Sequence, residues 1–429
     1  MKVRWKILLL LVAMAFIAYV LRANLSIAGE RMMQDLGFST LELGMVLAAA
    51  SWGYAIFQIP GGIFGDFAGP RWALTLIGIA WGVFTLATGL IPDVGAGQAT
   101  LVLVSLICIR FLMGAAEAPI FPVFALAVRN WFPVSHRALP NGLGSTGLTL
   151  GWAAAAPLVA WIAVAWGWRE CFLLTAPLGF AAALAWWWYG RDYPEQHPEV
   201  GAEELAFIRA GRADGEEAGP GALRRVLGDR NVLLLALSYF CMNYVFYIFF
   251  NWLFIYLVRE RGFAALEGGF LAMIPTLAGA ACATAGGLWC DAACRKFGMS
   301  KGCRLPPLVS LPLVAVLLFA GAAADSAWVA VALLALCFGG TQLTEGAYWS
   351  AVTAIGERHT GAASGLMNTG GNLVGGFGAL LVAFLAERHG WMVALSSGSV
   401  MAVLAAVLWL FIHVEQGTTT MARPNAATS

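Results

Sequence analysis

Long apolar runs separated by short polar ones dominate this chain. Runs with few charges lie near 5–28, 43–64, 72–92, 99–122, 139–165 and 169–189, and again near 232–258, 265–288, 304–323, 326–350, 360–386 and 390–413. A helix rising about 1.5 Å per residue needs about 20 apolar residues to cross a hydrocarbon core. Each run therefore predicts a membrane-spanning helix. The only long polar stretch, 191–230, carries Pro194, Pro198 and Gly219-Pro220-Gly221 among acids and bases. It reads as a linker with a short amphipathic helix around Ala202–Arg212. The expected fold class is an all-α membrane protein with twelve transmembrane helices in two pseudo-symmetric six-helix bundles. Residues 1–190 form the first bundle, 191–230 the linker, 231–416 the second bundle and 417–429 a tail.

Composition supports this class. Of 429 residues, 60% are hydrophobic and 11% charged, against roughly 25% charged in soluble domains. Such a chain needs lipid as solvent. The net charge of +1 offers no basic face for nucleic acid. Lys2, Arg4 and Lys6 before an apolar run resemble a signal peptide, but the run is long enough to span and reads as a retained first helix. With the N-terminus inside, the outer segments hold only Arg31, Arg169, Arg259, Arg261 and Arg388, while Arg22 and Arg110 lie within helices. The remaining Lys and Arg residues, Arg137, Arg212, Arg224, Arg225, Arg358 and Arg423 among them, fall on the inner side. This bias predicts an inner-membrane protein with both termini cytoplasmic.

The two halves repeat one another. Gly61-Gly62-Ile63-Phe64-Gly65-Asp66 closes the second predicted helix, and Gly286-Gly287-Leu288-Trp289-Cys290-Asp291 closes the eighth. Gly167-Trp168 opens the sixth and Gly390-Trp391 the twelfth. The offsets, 291 − 66 = 225 and 391 − 168 = 223, keep register over a hundred residues. Parallel repeats of this kind, related by an axis along the membrane normal, build one class of carrier.

Particular residues resemble the major facilitator superfamily. Gly65-Asp66-Phe67-Ala68-Gly69-Pro70-Arg71 is similar to its signature loop between helices 2 and 3, where the resemblance implies that Asp66 and Arg71 brace helix ends and latch one conformation. Asp291 and Arg295 are the matching pair in the second half. Within the superfamily, the anion:cation symporter family fits best. Its motifs are resembled by Tyr19-Val20-Leu21-Arg22-Ala23-Asn24-Leu25-Ser26, by Trp52-Gly53-Tyr54 through Gln58-Ile59-Pro60-Gly61-Gly62, and by Arg110 through Pro119 continuing to Trp131-Phe132-Pro133. Relatives include sugar-acid and aromatic-acid carriers and the sialic acid and vesicular glutamate transporters. Many bacterial relatives have Asp before the helix 1 Arg, where this chain has Leu21, and Phe254 replaces a frequent helix 7 proline.

Ionisable groups inside spans cost about 2.5–3.5 kcal/mol on insertion scales and mark functional positions. Arg22 is the candidate anchor for a substrate carboxylate, which a guanidinium grips through two hydrogen bonds; snorkelling or a structural ion pair is the alternative. Arg110 and Glu117 stand two turns apart on one helix face. A substrate anion competing for the Arg would free Glu117 to take a proton, and a static Arg110–Glu117 pair is the alternative. Glu345 is a second candidate for proton coupling. Tyr244, Tyr247 and Asn251 on helix 7, Tyr19 and Tyr54, and Asn368 and Asn372 on helix 11 are candidate substrate contacts, weighed against plain packing.

Other patterns carry less. Gly142-Leu143-Gly144-Ser145-Thr146-Gly147 matches a dinucleotide fingerprint but sits in a span with no preceding strand, so it reads as helix packing. Walker and HExxH sequences are absent, and no cofactor is expected. Cys290, Cys294 and Cys303 cluster in a predicted polar connection, but their spacing matches no standard zinc pattern and no His is near, so no metal is expected. The reading is a non-enzymatic secondary transporter, a monomer, that moves a small organic anion with protons across the bilayer by alternating access. An uncoupled exchanger or facilitator, suggested by Leu21, and a transporter-like receptor or scaffold are the rivals.

Overall fold

A computed structural model describes residues 2–92, 99–133, 138–210, 226–356 and 360–414. The tail, the second part of the linker, Arg137, Arg212, Arg224, Arg225, Arg358 and Arg423 lie outside the described residues, as does the side chain of Asp66. Among the described residues, twelve helices are long and apolar enough to span a membrane: α1 Val3–Leu36, α2 Thr40–Gly65, α3 Phe67–Gly89, α4 Ala99–Trp131, α5 Leu143–Ala165, α6 Trp168–Tyr189, α7 Arg230–Arg259, α8 Ala265–Phe297, α9 Met299–Ala323, α10 Ala327–Gly356, α11 Ala363–His389 and α12 Trp391–Phe411. The expected twelve-helix, two-bundle architecture holds.

The ends of several helices differ from the sequence expectation. α1 runs on to Leu36, and α8 and α9 are parted only by Gly298, so most of the polar connection predicted there is helical. A polar helix end need not lie in the hydrocarbon, so hydropathy stops short of it. Backbone breaks repeat between the halves. Gly69 (φ 74°) separates the α2 and α3 directions, and Gly298 (φ 81°) separates α8 from α9. Gly167 (φ 115°) and Gly390 (φ 83°) precede α6 and α12. Two spans are also interrupted. In α4 the helix stops at Glu117 and resumes at Ile120, where Pro119 lacks an N–H to continue the ladder. In α10 it stops at Gln342 and resumes at Glu345. There the hydroxyl of Thr344 donates to the Thr341 carbonyl at 2.7 Å, a local bond that competes with helix continuation.

The halves meet along three helix pairs, α1 with α7, α2 with α11 and α5 with α8. At the face opposite the N-terminus they are clasped. Arg259 on α7 pairs with Glu30 on α1 at 2.5 Å, and the Leu41 backbone N–H donates to Glu387 on α11 at 2.7 Å. On the N-terminal face, the polar contacts of Arg71, Asn130 and Arg304 stay within one half or reach the linker.

The linker forms a short helix, Ala202–Ala210, that docks on the start of α1. The Glu204 carboxylate accepts the backbone N–H groups of Val3 and Arg4, each at 3.1 Å. These are first-turn donors with no partner in their own helix, and a carboxylate there also meets the positive end of the helix dipole. Glu199 accepts from Lys6 Nζ and from the Tyr189 hydroxyl, each at 2.8 Å. Those two bonds hold the Glu199 carboxyl below its usual range. A group with a depressed folded-state value contributes above its unfolded value and loses that contribution as pH falls through the folded one. Amide protection across 199–209, taken relative to the intrinsic exchange rate at each pH, should therefore be higher at neutral than at acid pH, and Glu199→Gln should lower it at neutral pH and remove the difference.

Candidate functional site

The site is built around Arg22, which α1 carries into the middle of the bundle. Its guanidinium stands 3.9 Å from Glu117 on α4. It also lies over the rings of Tyr54 at 4.8 Å, Phe250 at 5.3 Å and Tyr19 at 5.6 Å. Aromatic faces attract a cation by about 0.5–2 kcal/mol each, more when desolvated. Tyr19, Tyr54 and Tyr247, three of the candidate substrate contacts, thus converge on Arg22.

Glu117 reaches Arg22 because α4 comes unusually close to α2. A Cβ on Gly114 would lie 2.0 Å from the Ala50 carbonyl oxygen, and one on Gly53 would lie 2.1 Å from that of Phe111. Only glycine allows this backbone approach. The break after Glu117 then leaves its carboxyl at the end of a helical segment.

The expected Arg110–Glu117 pairing is replaced. Both side chains are buried, but Glu117 pairs with Arg22 instead. Arg110 sends Nη1 to Met113 Sδ at 3.1 Å and stacks over Phe172 at 4.8 Å. Its Nε and Nη2 are buried without a hydrogen-bond partner among the described residues, as is Nδ2 of Asn251. Two turns of helix put Arg110 and Glu117 on one face, yet the cation on the neighbouring helix wins because it faces the carboxyl directly. A small cavity is lined by Arg22, Arg110, Glu117, Ser51, Phe250 and Asn251, so the buried polar groups of both halves share one space.

A directed hydrogen-bond chain leaves Arg22 for the second half. Arg22 Nη2 donates to the Tyr247 hydroxyl at 3.1 Å, and that hydroxyl donates to Asn372 Oδ1 at 2.9 Å. Asn372 Nδ2 donates to the backbone and side-chain oxygens of Asn368, at 2.8 and 3.2 Å. Asn368 and Asn372 are thereby joined to the site through Tyr247. Tyr244 is not: its hydroxyl bonds Ser397 on α12 at 2.8 Å. A residue three before Tyr247 is rotated by about 60° around the helix, which turns Tyr244 toward α12.

Glu345 lies apart from Arg22, at the break in α10. It accepts from Trp349 Nε1 at 3.0 Å and from the Tyr239 hydroxyl at 3.4 Å. Its donors are neutral, unlike the cation beside Glu117. The two breaks answer one another in the internal repeat, since 342 − 117 = 225, and each acid borders the interruption of its span, Glu117 before it and Glu345 after it. The sequence signals for this were Pro119 and the Thr341–Thr344 spacing.

At the N-terminal face, Arg71 donates to the Trp187 carbonyl at 3.1 and 3.3 Å and lies 4.4 Å over the Trp187 ring, while its backbone N–H donates to Asp192. It braces α3 against α6 within one half. Asp291 and Arg295 stand exposed one turn apart at the end of α8. The clasp of Glu30 with Arg259 was not anticipated. Arg31, Asp35, Arg259 and Glu260 crowd the same chain ends, and nothing in one sequence distinguishes the pair that meets.

The chain through Tyr247 is open to test. Tyr247→Phe should destabilise the detergent-solubilised protein by about 1 kcal/mol, because it removes a hydrogen-bond partner from two half-buried side chains, Arg22 and Asn372. A double-mutant cycle with Asn372→Ala, read by thermal unfolding, should show coupling above about 0.5 kcal/mol. Strict additivity would mean that the two side chains act independently.

Comparison with known proteins identifies the family. Residues 11–379 match the model of the Major Facilitator Superfamily. The chain is 30% identical to the probable galactarate/D-glucarate transporter GudP of Bacillus subtilis (strain 168), over 95% of this chain and 91% of that protein. It is 32% identical to the probable sulfoacetate transporter SauU of Cupriavidus necator, over 91% and 89%, and 31% identical to a hexuronate transporter of Bacillus subtilis, over 90% and 88%. Among solved structures, a bacterial homolog of the human lysosomal transporter Spinster superposes with a TM-score of 0.78 at 16% identity, covering 96% of this chain and 97% of that one. The D-xylose-proton symporter follows at 0.72 and 13%, covering 96% and 98%. The chain belongs to the Major Facilitator Superfamily, as a multi-pass membrane transport protein of twelve spans.

Proposed function

We propose that this protein is a secondary transporter that carries a small organic anion across the inner membrane by alternating access, with proton symport. Relatives named for galactarate, glucarate, sulfoacetate and hexuronate support an acidic substrate. The observation that carries the mechanism is the Arg22–Glu117 pair at 3.9 Å. A substrate carboxylate that takes Arg22 in two parallel hydrogen bonds removes the countercharge of Glu117. The buried carboxyl then takes a proton, because an unpaired charge in that setting is costly. Substrate and proton thus load together, and loss of either restores the resting pair. Tyr19, Tyr54, Tyr247 and Asn251 shape the site, and the free N–H groups of Arg110 offer a second anion contact.

The two bundles, 1–190 and 231–416, rock about this point as a monomer. Glu30–Arg259 holds the outer side shut. Asp66 and Arg71, with Asp291 and Arg295, act at the inner side when it closes. Glu345 serves as a second protonation site in the other half. The positive-charge bias of the loops supports cytoplasmic termini.

Leu21, buried in the core, favours one other reading, an exchanger that moves the same anions without protons. Proteoliposomes loaded with a pH dye separate the two. Galactarate, glucarate, a hexuronate or sulfoacetate should acidify the lumen, and Glu117→Gln should abolish acidification while leaving labelled-anion counterflow. Arg22→Lys should raise the half-saturating anion concentration at least about tenfold, since it loses the bidentate contact. Glu345→Gln should lower the number of protons moved per anion. Counterflow without acidification in the native protein would establish the exchanger.

A further inference from the structure

Three thiols converge at the N-terminal face of the second half. Cys290 and Cys294 stand one turn apart near the end of α8, and Cys303 lies in the first turns of α9. Cys294 Sγ is 3.6 Å from Cys303 Sγ and 4.0 Å from Cys290 Sγ, and all three sulfurs lie within 4.8 Å of one another. They form the one group among the described residues with the number and closeness of side-chain ligands that a metal needs. The expectation of no metal, drawn from spacing along the chain, overlooked the turn at Gly298 that folds α9 back onto α8.

Two other buried cysteines behave differently. Cys171 turns its thiol to the Val159 carbonyl and Cys337 to that of Val314, as small apolar residues do in helix packing. The trio face one another instead. Their approach depends on Gly302, where a Cβ would lie 2.4 Å from the Cα and N of Cys294. Any other residue there would push α9 away from α8 and part the sulfurs.

We propose that Cys290, Cys294 and Cys303 form a binding site for one thiophilic d10 cation, cuprous ion or zinc. Sulfurs about 2.3 Å from a metal stand about 3.8–4.0 Å apart in tetrahedral or trigonal arrangement, and the two shorter separations bracket that distance. Three thiolates with no histidine or carboxylate select soft ions. Cuprous ion is satisfied by the three sulfurs. Zinc takes a water as its fourth ligand. Cys290 and Cys303 are buried, and Cys294, which is partly exposed, forms the entry. Binding releases the thiol protons and changes no oxidation state. It ties the end of α8 to the start of α9, and with it the turn that carries Asp291 and Arg295. The proposal is independent of what the protein transports.

The test uses the full chain, purified reduced in detergent. Cuprous ion is titrated against bathocuproine disulfonate, and zinc, separately, against a chromophoric chelator. One equivalent of one ion per chain should be withdrawn from its competitor, and that ion should protect three cysteines from maleimide labelling in the intact mass. Cys303→Ser should weaken retention at least about 100-fold, whereas Cys108→Ser should leave it unchanged. The outcome of the two titrations assigns the ion. The proposal is overturned if neither ion is retained, if retention survives Cys303→Ser, or if labelling in the presence of the ion is undiminished. The protection assay needs no variant, so a Cys303→Ser chain that failed to fold would leave that assay to decide.

Discussion

A permanently charged guanidinium held in the middle of an apolar bundle is the constraint around which this molecule is arranged. Arg22 cannot shed its proton, so the surrounding chain has to answer its charge. One carboxylate at 3.9 Å and three aromatic rings do so. Much of the local architecture serves that end. The glycine contact between α2 and α4 brings Glu117 within reach, Pro119 ends its helical segment, and α7 supplies a hydroxyl from the other half. Because the carboxylate is the sole anion of this set, an anionic ligand competes with it directly.

The polar contacts around Arg22 divide into two kinds. Those within the first half fix where the charge sits. Those reaching the second half, through Tyr247 to Asn372 and Asn368, run in one donor direction and use the hydroxyl in both its roles. Such a chain responds as a unit when its first member changes partner, since each link polarises the next. At the far face a clasp of opposite charges closes the bundle, whereas the polar side chains described at the N-terminal face hold to their own half. Among the described residues, the two faces thus differ in whether an ionic contact crosses between the halves.

The fold was legible in the sequence because lipid imposes a single period and length on every span. The repeat was legible because Gly167 and Gly390 keep φ values that other residues avoid, so glycine persists at matched places. Arg22, Glu117, Tyr19, Tyr54 and Tyr247 were legible as polar groups in spans. What the sequence left open was who pairs with whom. Helical spacing placed Arg110 and Glu117 on one face, but the choice between Arg110 and Arg22 rests on interhelical distance, which a glycine contact sets. Tyr244 and Tyr247 look alike along the chain and diverge through a rotation of less than a third of a turn. The grouping of Cys290, Cys294 and Cys303 was visible along the chain, but chain spacing does not report how the positive-φ Gly298 brings their sulfurs within 4.8 Å of one another.

The contact between Arg22 and Tyr247 has one further consequence. The two residues are 225 positions apart, the same interval that separates Asp66 from Asp291. Each therefore occupies the place in its half that the other occupies in its own, and they touch. Two equivalent points meet only on the axis that relates them. A rocking motion of one half against the other moves such a point least and moves the ends of the helices most, as at the fulcrum of a balance. Arg22 is thus seated where its neighbours from both halves would stay in place during such a motion.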